Sequence, residues 1–218
     1  MKGVKLAAIA LTITLLSGCF GPKQEEEVYT VFENAAKQEA SLYQEAAELE
    51  KLEVKNQELY SKILKDGKQN NEAVQATIEE ALQEVSERES ILQKEETLLQ
   101  AAQEKMTDAK LYIDKIENSE LNKRAQKTEE LYRERFEVFK EMHKVYKTAL
   151  QSEKELYTML KEKTQKLKEV NDKVVAVNKN YVKVSEWNTK FNDVTAKYNN
   201  EKLSFYKQAG FKVKKKTS

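Results

Sequence analysis

Between Val28 and Phe205 the chain carries one glycine, Gly67, and no proline. Over the same span apolar residues recur at spacings of three and four. A β fold needs turn signals roughly every 8 to 12 residues. Without them, a periodic apolar stripe folds as long helices that bury that stripe against one another. The composition agrees: 34% of residues are charged, and Glu, Lys, Leu, Gln and Ala dominate, as in long helices and coiled coils.

The stripe divides the chain. A first stretch runs from Val28 through Phe32, Ala35, Leu42, Ala46 and Leu49 to Tyr60 and Ile63. It ends at Lys65-Asp66-Gly67-Lys68, where Gly67 suits a left-handed C-cap. A second runs from Val74 to Ile116, with Arg88 and Glu95 on its seam, where each must pair or reach solvent. Glu117-Asn118-Ser119 is the next turn, with Ser119 as the expected N-cap. From Leu121 to Phe205 one heptad phase persists. A single helix there would run roughly 130 Å and leave half its seam without a partner. A turn is therefore expected between Lys163 and Asp172, with Asn171-Asp172 as its cap; Ser152-Glu153-Lys154-Glu155 fits a capping box as another position. The expectation is an all-α fold, an antiparallel up-and-down bundle of long helices over residues 25–210. Four helices of about 40–47 residues give a bundle near 65 Å long, and three helices are the alternative.

The N-terminus has a different character. Residues 1–18 begin with Lys2 and Lys5 and continue with an apolar run from Leu6 to Leu16. A bilayer span needs about 20 apolar residues, so this run reads as a cleavable export signal. It ends in Leu16-Ser17-Gly18-Cys19, which resembles the bacterial lipobox. There the cysteine thiol, a soft nucleophile, receives a diacylglycerol, and the small residues before it admit the signal peptidase. Cys19 is the only cysteine, so a disulfide has no second half. The expected location is the outer face of the cytoplasmic membrane, with residues 19–24 as lipidated cysteine and short tether. No cofactor is expected beyond that covalent diacylglycerol.

Charge is asymmetric. Residues 19–118 hold 12 basic and 23 acidic residues, whereas 119–218 hold 24 basic and 14 acidic. The lipobox, the acidic start Glu25-Glu26-Glu27-Val28-Tyr29, the run Gln57-Glu58-Leu59-Tyr60 and the Lys-rich second half together resemble the YkyA-like family of cell-wall-binding lipoproteins of Gram-positive bacteria. The resemblance covers essentially the whole chain. It implies a wall-associated lipoprotein with a helical-bundle fold, and it brings no catalytic or ligand residues to carry over.

Chemistry is sparse. His143 has no second histidine at metal-binding spacing and reads as a solvated surface residue. The doublets Glu79-Glu80, Glu95-Glu96 and Glu129-Glu130 read as solvated faces, because adjacent helical residues diverge by about 100°. With no phosphate loop, nucleophile elbow or metal-spaced set, neither catalytic residues nor a metal site is expected, and the chain does not read as an enzyme. Tyr132, Tyr146, Tyr181 and Tyr198 fall on the seam, as core rings or as a groove that stacks on glycan rings. Trp187 lies one step from the seam and is the candidate aromatic contact. Lys161, Lys166, Lys168, Lys173, Lys179 and Lys183, with Lys163 and Lys190, form a cationic surface. That surface either neutralises the acidic half or attracts anionic wall polymers. Nucleic acid is excluded by export. The alternative function is a helical scaffold that recruits an unknown protein partner without wall affinity. The tail, residues 211–218, supplies Lys212, Lys214, Lys215 and Lys216 as candidate membrane-surface contacts if an even number of helices returns it to the tether.

Overall fold

A computed structural model describes residues 23–66, 72–162 and 166–212. The described residues form six helices: α1 (Gln24–Gln38), α2 (Leu42–Asp66), α3 (Glu72–Met106), α4 (Ala109–Ile113), α5 (Ser119–Glu162) and α6 (Leu167–Gln208). The pairs α1/α2 and α3/α4 are each one helical pass interrupted by a short turn. The chain therefore makes four passes, with no strand among the described residues, and the fold is an all-α helical bundle.

The turns show how local sequence sets the ends of the helices. Before α5, the Asn118 side-chain oxygen accepts the backbone N–H groups of Glu120 (3.1 Å) and Leu121 (3.0 Å). Asn118 is thus the N-cap, and Ser119, expected in that role, is the first helical residue. The last turn falls in the expected interval, between Glu162 and Leu167. Asn171 and Asp172 do not cap it, because they already lie inside α6. Instead the Lys166 N–H donates to the Glu169 carboxylate at 3.3 Å, the side-chain half of a capping box. Ser152 is interior to α5 and bonds back to the Thr148 carbonyl. Gly67 and Lys163 lie outside the described residues.

α6 ends in a Schellman motif. Gly210 adopts φ 82°, the Phe211 N–H reaches the Tyr206 carbonyl at 2.9 Å, and the Gly210 N–H reaches that of Lys207. The accompanying apolar contact is Phe211 on Tyr206, with ring centroids 6.1 Å apart.

Two compact units divide the described residues. Unit I comprises 44–66 and 72–96 with 140–162 and 166–188; unit II comprises 23–43 and 97–139 with 189–212. α3, α5 and α6 contribute to both. The core of unit I is built on Ile63, Ile78, Val85, Leu92, Leu150 and Tyr157. That of unit II is built on Val28, Phe32, Met106, Ile113, Tyr132 and Phe205, with α1 packed on α4. Every apolar residue of the second predicted stripe, Val74 to Ile116, is buried. The other stripes are looser: Leu42, Ala46 and Leu49 are half-buried, and Leu167 is 77% exposed at the first turn of α6.

Candidate functional site

The lysines of unit I separate into two sets. Lys147, Lys154 and Lys161, one heptad apart on α5, approach Glu96 (2.6 Å), Glu89 (3.8 Å) and Glu79 (3.1 Å) in reverse order along α3. Lys161 therefore neutralises the acidic half. Lys173 instead pairs within the basic half, donating to Glu155 at 2.5 Å, where a second bond from Gln151 (2.9 Å) holds Glu155 well within its charged range: the bonds from Lys173 and Gln151 lower its pKa. The other candidates differ. Lys166, Lys168, Lys179 and Lys183 are exposed. For Lys168, Lys179 and Lys183, no carboxylate among the described residues comes within ion-pair distance. Spacings of eleven and four place these three on one side of α6, around the exposed Val175 and Val182. Between α5 and α6 lies an open groove of about 600 Å³, lined by Gln151, Lys154, Glu155, Thr158, Met159 and Lys173. Trp187 is half-buried.

The interior holds the polar chemistry that the sequence places on the surface. His143 is 2% exposed and lies 3.1 Å from the Glu95 carboxylate, so the expectation of a solvated histidine fails. The buried stripe of α5 is wider than its heptad seam, and Glu95, on the seam of α3, supplies the polar partner. Glu95-Glu96 is accordingly not a solvated face: one member is buried on His143 and the other pairs with Lys147.

Nor do the tyrosines line a groove. In unit I, Arg88 is 1% exposed and donates to Glu153 (2.9 Å) and to the Tyr181 hydroxyl (2.9 Å), which in turn donates to Glu153. Tyr146 donates to Glu53, and Tyr157 to Asn56 at 3.0 Å. Burial raises the pKa of Glu53, against the opposing bond from Tyr146. In unit II, Glu39 accepts from Tyr132 (2.6 Å) and Arg135 (2.8 Å), and Arg135 also donates to Thr195 (3.0 Å) beneath the Phe191 ring. Tyr206 donates to Glu33 at 2.8 Å. Lys202 lies 3.6 Å from the same carboxylate, its pKa lowered by burial although Glu33 acts in the opposite sense. Tyr132, Tyr146 and Tyr198 are core rings, and Tyr181 is half-buried. The sequence signal for these layers is the glutamate or arginine on an otherwise apolar seam.

Among the described residues no cluster of His, Cys, Asp and Glu is suited to a metal, and no helix is long and apolar enough to cross a membrane. Leu16, Ser17, Gly18 and Cys19 lie outside the described residues, as do Lys214, Lys215 and Lys216. Lys212 is exposed and follows Phe211, whose ring sits 4.7 Å from that of Tyr29 near the start of α1.

A family model described as "YkyA: Putative cell-wall binding lipoprotein" matches residues 23–208. A relative from Bacillus subtilis (strain 168), described as an uncharacterized lipoprotein YkyA, is 29% identical over 123 residues. That match spans 56% of this chain and 55% of the relative, about half the length of each. The crystal structure of a conserved protein of unknown function from Staphylococcus aureus superposes with a TM-score of 0.72 at 21% identity, covering 86% of this chain and 98% of that one. At that identity the likeness shows the fold alone. The family match, which runs through all four helical passes, places this chain in the YkyA family of lipoproteins.

Proposed function

We propose that the protein is a non-catalytic lipoprotein, held by a diacylglycerol on Cys19 at the outer face of the cytoplasmic membrane, that associates with anionic wall polymer through α6. The observation that carries this reading is the set of Lys168, Lys179 and Lys183, three exposed ammonium groups on one helix side with no carboxylate of the described residues within ion-pair distance. Such a face attracts a polyanion over about a Debye length. The family's description as cell-wall binding supports the same reading. Lys166 is exposed but precedes α6 and is not part of this set, and Lys161 and Lys173 are engaged with Glu79 and Glu155. The tail lysines, beginning at Lys212, lie against anionic headgroups in this reading, each contributing up to ~1 kcal/mol.

The test is retention of the mature chain on purified cell wall, with and without its anionic polymer, over a salt series. Retention is expected to fall with salt, with removal of the polymer, and in the Lys168→Gln, Lys179→Gln, Lys183→Gln variant. Unchanged retention in that variant overturns the assignment to α6. Cys19→Ala is expected to abolish labelling by a fatty-acid analogue. A second reading rests on the exposed Val175 and Val182 among those lysines, a pattern that also fits an acidic amphipathic helix. Capture of a protein partner with no wall retention favours it.

A further inference from the structure

We infer that the end of unit II formed by the start of α1, by α4 and by Phe211 is seated in the lipid–water interface, with Leu111 as the side chain that enters the acyl region. The inference rests on the reading of Cys19 as a lipid anchor.

Lys23 is the fourth residue after Cys19, so an extended chain spans at most ~14 Å between their Cα atoms. An anchor that short brings whatever surrounds the start of α1 to the membrane, and the structure shows what surrounds it. α1 packs on α4, and the Tyr29 ring lies 4.7 Å from Phe211. Tyr29, Tyr112 and Phe211 are all half-buried against the same core cluster. Beside Tyr112, Leu111 is 61% exposed. It is the only exposed large apolar residue among those described in unit II, since Val54, Leu64, Leu167, Val175 and Val182 all belong to unit I. Leu111 adjoins Tyr112, which shares its core cluster with Tyr29 and Phe211, and such a leucine suits a headgroup boundary, where amphipathic rings collect and an apolar side chain enters ~5–10 Å.

The charges at this end favour an apolar seat over an electrostatic one. Lys110, Lys115 and Lys212 can lay their stems along the interface with the ammonium in water, and Lys115 already lies 6.0 Å from the Tyr112 ring centroid. Asp108, Asp114 and Glu117 flank α4 and are exposed, and Glu25, Glu26 and Glu27 form the first turn of α1; together they offset that attraction. Contact made by Leu111 is therefore insensitive to salt, unlike contact made by the lysine tail.

The test uses the mature lipidated chain in vesicles of phosphatidylethanolamine and phosphatidylglycerol that carry nitroxide lipids. An environment-sensitive fluorophore is attached at Leu111→Cys or, as the control, at Val175→Cys; the acylated Cys19 thiol takes no label. The expected result is a blue-shifted label at 111, quenched several-fold more than the label at 175, in low and high salt alike. Equal quenching at the two positions, in protein that floats with the vesicles, overturns the seat and leaves the anchor standing. Protein that fails to float overturns the anchor and the seat together.

Discussion

Arg88 occupies a seam position where an apolar side chain would otherwise sit, and its charge is met by one carboxylate and one phenol. Arg88→Met leaves Glu153 buried without its cation, a loss of about 3–5 kcal/mol for pairs of this kind, readable as a fall in the urea midpoint. Adding Glu153→Gln is expected to recover part of it, because Tyr181 can still donate to an amide oxygen. Glu53 makes the opposite case. Its folded pKa lies above the ordinary value because burial disfavours the anion. Its contribution is therefore fully present below the ordinary glutamate pKa and is lost as pH rises through the raised one. Glu53→Gln is expected to gain stability relative to the parent at pH 7 compared with pH 4; a parent-to-variant difference that stays constant between those pH values would refute it. Of these residues, Arg88 and Glu95 announce themselves in the sequence as charges on an apolar seam. His143 does not, since the partner that makes its burial tolerable lies 48 positions away.

At the scale of the helix, ends written in side-chain chemistry are legible and those made by tertiary bonds are not. The turn before α5 is visible because Asn and Ser follow Ile116, but which of them caps depends on one residue of register. Asn118→Ala is expected to cost about 0.5–2 kcal/mol, and Ser119→Ala to stay within about 0.5 kcal/mol, both read from thermal unfolding. Equal costs would restore Ser119 as the cap. The turn before α6 is implied by the length of the seam alone. The interruption between α1 and α2 has no glycine or proline to mark it. It coincides with Glu39, whose carboxylate is drawn to Tyr132 and Arg135 of α5, and sequence spacing does not encode that pull.

For the whole molecule, the acidic first half and basic second half show in the sequence, and so does their mutual neutralisation as one of two readings. The α5 lysines pair with α3 glutamates, while Lys168, Lys179 and Lys183 of α6 are exposed, and the wall-polymer reading is proposed for these three alone. Replacing Lys147, Lys154 and Lys161 with glutamine is expected to lower stability modestly, since exposed pairs contribute about 0–1 kcal/mol each, and to leave wall retention near that of the parent. The α6 triple variant is expected to do the reverse. Circular-dichroism melts and wall-retention assays on both variants separate the two roles, and a larger loss of retention in the α5 variant would contradict the division.

The lysines of the ladder between α3 and α5 recur by heptads along α5, so the ladder discriminates poorly against a slip of α5 by one heptad. Arg88 does not repeat. In a misaligned pairing its guanidinium meets no carboxylate at Glu153's place, and Glu95 loses His143, so two desolvated charges stand uncompensated. The buried Arg88–Glu153 and Glu95–His143 contacts are thus expected to disfavour alignments that the surface charges would accept.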